Sequence, residues 1–192
     1  MDIIEFFEQS AGKWFSQRTL HNLTSGKLEA GKSELKIEIL PATDPAVIQL
    51  CSEHSLNPVS APLAGVRVTW NPIADQNHKN GSRLLVPIPN SDNPKTGKLL
   101  QSVGPASKNA LAKPAQGITT RYIIGEDDVL TLIGESEGFY AEERLWYLIP
   151  NLRLRTSVVK QPSGMTIASF CSEIRMGVTQ PAAETASAET RS

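Results

Sequence analysis

The feature that most constrains this chain is its second half. From about residue 64 onward it is nearly all short strand segments, near 64–71, 82–88, 97–103, 117–125, 128–135, 138–149, 152–160 and 164–175. Turn chemistry separates them: "NG" at 80–81, "EDD" at 126–128, "EG" at 137–138, "PN" at 150–151 and "PSG" at 162–164. Short connections between consecutive strands favour an antiparallel meander. A long open meander leaves two strand edges unpaired, and closing it into a barrel removes them.

The first half adds two more strands and two short helices. "SELKIEIL" at 33–40 puts Leu35, Ile37 and Ile39 on one face and Glu34, Lys36 and Glu38 on the other. That alternation suits a strand with a dry side and a wet side. Another strand runs from Lys13 to about Leu23. Residues 2–10 read as a helix with an apolar stripe of Ile3, Ile4, Phe6 and Phe7, a cap at Asp2 and a stop at Gly12. "DPAVIQLCSEHS" starts a second short helix with Pro45 at its first turn. The expected fold is therefore mainly β, an antiparallel barrel of about ten strands with two short helices. At that strand count the interior has room for a small ligand.

The chain has 192 residues, and one domain over 1–177 accounts for nearly all of it. The remaining 178–192 lacks bulky apolar residues and is expected to be a disordered tail. The polar stretches 72–82, 89–97 and "GPASKNALAKPAQG" read as mobile loops. A formal net charge of −1 gives no field that points to nucleic acid. Cys51 and Cys171 form neither a disulfide framework nor a metal clip, so no metal is expected and a reducing cytoplasm is the default. The opening residues do not read as a signal peptide, and no apolar run reaches the length of a membrane span.

The segment "GFYAEERLWYLIPNLRLRTS" concentrates the chemistry. On its first strand Phe139, Ala141, Glu143, Leu145 and Tyr147 share a face, which sets Glu143 among apolar neighbours pointing inward. A buried carboxylate needs a partner or takes up a proton. Pro150-Asn151 folds the next strand back alongside, where Arg153, Arg155 and Ser157 share a face opposite Leu152, Leu154 and Thr156. If the arginines point inward, two guanidiniums line a pocket beside a carboxylate. If they point outward, they form a solvated ladder. Periodicity alone favours the outward arrangement, because most arginines are exposed.

An inward cluster would suit an elongated conjugated ligand with carboxylates, since guanidiniums hold carboxylates in fork geometry. Trp70 shares a face with Val66 and Val68, so it is either ordinary core or a flat wall for a conjugated ring. Gly12-x-Trp14 is either a core tryptophan beside a helix stop or the opening triplet of a lipocalin-type barrel. Arg18 shares its face with Trp14. His21 lies on the opposite face unless a bulge intervenes. Tyr140 and Trp146, on the outer face of the 138–149 strand, could cover an intersubunit contact or sit under the helix at 44–54.

Taken together, "FFEQSAGKWFSQRTLHNL", "GKSELKIEIL", "VTWNP", "EERLWYLIPNLRLRTS" and "FCSEIRMG" resemble the S-type phycobilin lyases of phycobilisome-bearing organisms, over residues 3–177. The resemblance implies a lipocalin-like β-barrel that binds an open-chain tetrapyrrole and presents it to a cysteine of a phycobiliprotein subunit, where a thioether forms. It implies Glu143 and Arg155 as catalytic residues. Arg18, Trp70, Arg153 and Arg155 would bind the bilin, with His21 and Ser157 as weaker members. It moves the tandem arginines from exterior to pocket. The bilin, phycocyanobilin or phycoerythrobilin, is substrate rather than a tightly bound cofactor. The acceptor would be a subunit of phycocyanin, allophycocyanin or phycoerythrin, and a homodimer or a heterodimer with a related lyase is open. The nucleophile belongs to the acceptor, so Cys51 and Cys171 read as structural, with a thioether relay as a minor alternative. A non-catalytic bilin carrier or an auxiliary subunit is the competing function.

Overall fold

A computed structural model describes residues 1–54, 65–73, 80–102 and 119–177. The tail expected at 178–192 and most of the loops expected at 72–82 and 104–117 lie outside the described residues. The chain runs α1 (Ile3–Ser10), β1 (Gly12–Asn22), β2 (Leu28–Leu40), α2 (Pro45–Glu53), β3 (Gly65–Pro72), β4 (Gly81–Pro89), β5 (Thr96–Gln101), β6 (Thr119–Ile124), β7 (Leu130–Ser136), β8 (Phe139–Ile149), β9 (Leu152–Lys160) and β10 (Thr166–Arg175). The ten strands form one closed antiparallel barrel in the order β1-β10-β9-β8-β7-β6-β5-β4-β3-β2. Each strand pairs with its sequence neighbour, and β1 closes the ring against β10 through Trp14↔Arg175 to Asn22↔Ile167.

The period of two sorts the side chains. Leu35 and Ile37 of β2 face the lumen and are buried, as the alternation of "SELKIEIL" predicts. The strand starts earlier than its own pattern suggests because Leu28 pairs with His21 of β1. The lower lumen is a dry core of Trp14, Leu35, Ile37, Val66, Leu85, Leu99, Tyr122, Ile124, Leu130 and Leu145.

Helix α1 plugs that end. Its N-terminus is a capping box: Asp2 Oδ1 accepts from the amides of Ile4 at 2.8 Å and Glu5 at 3.0 Å, and Glu5 Oε2 accepts from the Asp2 amide at 2.8 Å. Such a cap contributes about 1 kcal/mol. Ile3, Phe6 and Phe7 bury their side chains against the core, at roughly 1.5–3 kcal/mol each. Gly12 leaves the helix with φ +122°, a conformation other residues rarely adopt, and turns the chain into β1.

Helix α2 covers a different place from the one considered for it. Capped by Asp44, whose Oδ1 accepts from the Ala46 amide at 2.9 Å, it lays Val47, Leu50 and Cys51 on the outer face of β4 and β5, over Leu84, Val86 and Leu100. It does not lie over Tyr140 and Trp146. The connection 89–97, expected as a mobile loop, is instead a hydrogen-bonded turn. Asn93 accepts from the Lys95 amide through Oδ1 and from the Thr96 amide through its carbonyl, both at 3.0 Å. No helix among the described residues is long and apolar enough to cross a membrane.

Candidate functional site

The "LRLRTS" strand settles into the register that periodicity disfavoured. Arg153, Arg155, Ser157 and Val159 face the lumen, and Leu152 and Leu154 face outward. The outward expectation fails because each guanidinium meets a carboxylate from a neighbouring strand. Tyr147↔Arg153, Leu145↔Arg155 and Glu143↔Ser157 pair β8 with β9, while Cys171↔Arg155 and Glu173↔Arg153 pair β10 with β9. Inward arginines on β9 thus lie between Glu143 on one side and Glu173 on the other.

The deeper pair belongs to the plug. Glu173 has no exposed surface, and Arg153 donates to its Oε2 from Nε at 2.7 Å, with Nη2 at 2.6 Å. Arg153 also donates to Ser10 Oγ at 2.9 Å and stands over the Trp14 ring at 5.1 Å. On the same indole rests Arg175, 4.2 Å from the ring centroid, which donates to the carbonyls of Gln9 in the last turn of α1 and of Ala11, its C-cap. Trp14 donates from Nε1 to the Ser10 carbonyl at 2.8 Å, and Tyr147 Oη lies 2.6 Å from Ser10 Oγ. Burial penalises the Glu173 charge, but Arg155, Arg153 and Ser16 outweigh it and hold its pKa below the ordinary carboxylate range.

The upper pair is wetter. Arg155 donates from Nη1 to Glu143 Oε1 at 3.0 Å, and its Nη2 reaches Glu173 Oε1 at 3.0 Å and Cys171 Sγ at 3.5 Å. The side chains of Arg155 and Glu143 are 29% and 28% exposed, against 6% and 0% for Arg153 and Glu173. An inward-facing side chain of a closed barrel meets water only through the lumen, so the lumen opens to solvent at the level of Glu143 and closes at Glu173. Glu143 Oε2 carries no hydrogen bond among the described residues, which leaves an acceptor on the carboxylate that solvent reaches, while Arg155 Nε and Glu173 Oε1 are buried without one. Burial opposes the Arg155 charge, yet Glu173, Cys171 and Glu143 together push its pKa well above the usual range, so it stays charged.

The remaining sequence candidates divide. Arg18 faces the lumen and pairs with Cys171, placing Arg18, Cys171 and Arg155 in one row across β1, β10 and β9. Burial drives the Cys171 thiol pKa up despite Arg155 and Arg18 beside it, which keeps it protonated. Trp70 faces the lumen, half-buried beside the core, with its indole laid on Gly81. A Cβ at Gly81 would come within 2.4 Å of the ring. Ser157 is buried and its Oγ lies 2.7 Å from Ser169 Oγ. His21 is exposed on the outer wall: the register of β1 runs unbroken from Trp14 to Asn22, so no bulge turns it inward. Arg153, expected on the ligand, has its guanidinium engaged by Glu173 and Ser10.

Two lumen residues escaped the sequence reading. Glu173 sits in the quoted "FCSEIRMG" without a role, and its signal was an acid two residues from a cysteine on a closing strand. Arg83 points inward from β4, opposite Val68. Its signal was a single charge in "SRLLVPIP", just ahead of a run that is apolar on both faces. Among the described residues no group of His, Cys, Asp and Glu could hold a metal.

The site can be set beside known proteins. The family model described as "CpeS-like protein" matches residues 2–176. The chain is 54% identical to "Chromophore lyase CpcS/CpeS 1" of Trichodesmium erythraeum (strain IMS101), over 91% of this chain and 98% of that one. It is 50% identical to "Chromophore lyase CpcS/CpeS" of Thermosynechococcus vestitus, over 95% and 97%. The solved S-type phycobiliprotein lyase CPES from Guillardia theta superposes with a TM-score of 0.74 at 29% identity, covering 93% of this chain and 95% of that one. With nearly its whole barrel matched, and the Glu143–Arg155 cup inside the matched region, the chain belongs to the CpeS-like protein family.

Proposed function

We propose that this chain is a bilin lyase that binds a phycobilin, phycocyanobilin foremost, in the upper lumen and guides its thioether attachment to a cysteine of a phycobiliprotein subunit. The observation that supports it is the Arg155–Glu143 pair, partly exposed inside a closed barrel and resting on the dry Arg153–Glu173 pair. Among the described lumen-facing residues Arg18, Arg83, Arg153, Arg155 and Arg175 outnumber Glu29, Glu143 and Glu173, which leaves an excess of positive charge. A linear tetrapyrrole with two propionates supplies the opposite charge.

The chemistry then follows from the ligand. The ring-A ethylidene of a free bilin accepts a thiol by conjugate addition: the acceptor's sulfur bonds to the ethylidene carbon, and the thiol proton ends on the bilin. Arg155, with Arg18 in the same row of the wall, holds a propionate. Glu143, oriented by Arg155 through Oε1, offers Oε2 to the pyrrole nitrogens and exchanges a proton with the conjugated system as the thiol adds. Trp70 restricts the twist of a ring. Most of the acceleration is positional, an effect worth several kcal/mol when one conformer is held at near-attack distance. The nucleophile is the acceptor's cysteine; burial pushes the Cys171 thiol pKa up, which disfavours a relay through its sulfur.

Coexpression of the chain with a phycobiliprotein subunit and a bilin tests the reading. The expected result is a covalent, fluorescent adduct above the level formed without the chain. Bilin bound but never transferred would make the protein a carrier, and transfer only with a second lyase-like chain would make it an auxiliary subunit.

A further inference from the structure

The cup described so far is one-sided, built from β8, β9, β10 and β1. In the ring of ten strands β4 stands five strands from β9, and β3 five strands from β8. Arg83 on β4 therefore faces Arg155 across the lumen, and Trp70 on β3 faces Glu143. The opposite wall is built as a unit. Trp70 pairs with Gly81 and lies across it, and Val68↔Arg83 is the next inward pair down the same two strands. Gln101 Oε1 accepts from Arg83 Nη1 at 3.0 Å, and Gln101 Nε2 donates to Thr120 Oγ1 at 3.1 Å. That second bond fixes the amide so that its oxygen addresses the guanidinium.

Placing an arginine here is costly. The outer face of β4 is sealed by α2 through Leu84 and Val86, and the inner face below Arg83 continues as Leu85 and Pro87. Burial pulls the Arg83 pKa down, Glu143 pulls it up and Arg155 pulls it down further, so the three groups share one field across the lumen. An anion between the two walls is attracted by both guanidiniums and offsets their repulsion.

We propose that Arg83 is the second carboxylate anchor of the cup: it holds one propionate of the bilin from the β4 wall while Arg155 holds the other from β9. The inference rests on the bilin-binding reading above. Gripped at two carboxylates from opposite walls, with Trp70 beside Arg83 and Glu143 beside Arg155, the tetrapyrrole lies across the lumen with its central rings between indole and acid. Arg83 then selects for a dicarboxylate ligand.

The test compares a bilin diacid with its dimethyl ester by absorbance titration of the full chain. Wild type should prefer the diacid. Arg83→Gln should raise the diacid Kd about tenfold to a hundredfold and leave the ester Kd within about twofold. Equal losses on both forms would give Arg83 a structural role and overturn the inference, as would an unchanged diacid Kd. If R83Q does not fold, Gln101→Leu carries the same comparison: a loss of roughly threefold to tenfold confined to the diacid supports the anchor, and any other pattern overturns it. Wild type that binds neither form overturns the function reading together with the anchor. Wild type that binds both equally overturns the anchor, together with the propionate contact of Arg155, and leaves bilin binding itself standing.

Discussion

Replacing Glu173 by Gln tests the floor of the cup. The carboxylate has no exposed surface and faces two guanidiniums, Arg153 at 2.6 Å and 2.7 Å and Arg155 at 3.0 Å. The amide keeps the volume and one acceptor but removes the charge. Breaking a buried pair by neutralising one partner costs about 3–5 kcal/mol, because the other charge stays desolvated. Arg155 retains Glu143, and the amide oxygen still accepts one bond from Arg153, so the lower end, about 3 kcal/mol, is expected. For a domain of this size that lowers Tm by about 6–12 °C. It lowers the urea midpoint by about 1.5 M if the slope is about 2 kcal/mol/M. The pH dependence has a definite sign. Because the folded pKa of Glu173 lies below its ordinary value of 4.5, its stabilisation is fully present above that pH and is lost as the pH falls toward the depressed folded value. The gap between wild type and E173Q should therefore be widest near neutrality and close below about pH 4.5. Urea melts of both proteins from pH 3 to 7 measure it. An E173Q midpoint within about 0.3 M of wild type at pH 7 would refute the claim that this carboxylate compensates the arginines.

Four further perturbations follow from the same geometry. Glu143→Gln keeps the fold and slows transfer to the acceptor by about a hundredfold while changing bilin affinity little, read by single-turnover fluorescence. Arg155→Ala instead weakens binding itself, by about tenfold or more, in an absorbance titration. Gly81→Val cannot leave Trp70 where it is, since its Cβ would stand 2.4 Å from the ring; the bound bilin should lose absorbance in its long-wavelength band as the ring it constrains relaxes. Cys171→Ala should support transfer within about threefold of wild type, and a loss of a hundredfold would instead reveal a covalent relay through that sulfur.

What the sequence discloses and what it hides divide along local and non-local physics. The Asp2 cap, the Pro45 start, the inward face of "SELKIEIL" and the succession of ten strands are each decided by residues within a few positions of one another. They match the structure to within a few residues. The direction of Arg153 and Arg155 is not decided that way. Hydrophobic alternation sends Leu152 and Leu154 inward; Glu143 and Glu173, from two other strands, reverse it. The inward turn of Glu173 is hidden for the same reason: Phe170 and Ile174 flank it in the pattern of a core face, yet both are largely exposed on the outer wall. Resemblance to the S-type lyases placed the arginines inside where periodicity did not. It was silent on Arg83, whose position depends on α2 sealing the far side of its strand.

The seam where β1 meets β10 has a consequence for how the protein is made. The final strand brings Cys171, Glu173 and Arg175 together. A nascent chain that has emerged only as far as Lys160 holds every lumen arginine except Arg175, but lacks the anion that quiets two of them and the last staple of the ring. Vectorial synthesis thus leaves the vessel open, with Arg153 lacking its carboxylate and Arg155 held by Glu143 alone, until β10 clears the ribosome. A chain cut short before Glu173 is left with neither floor nor wall.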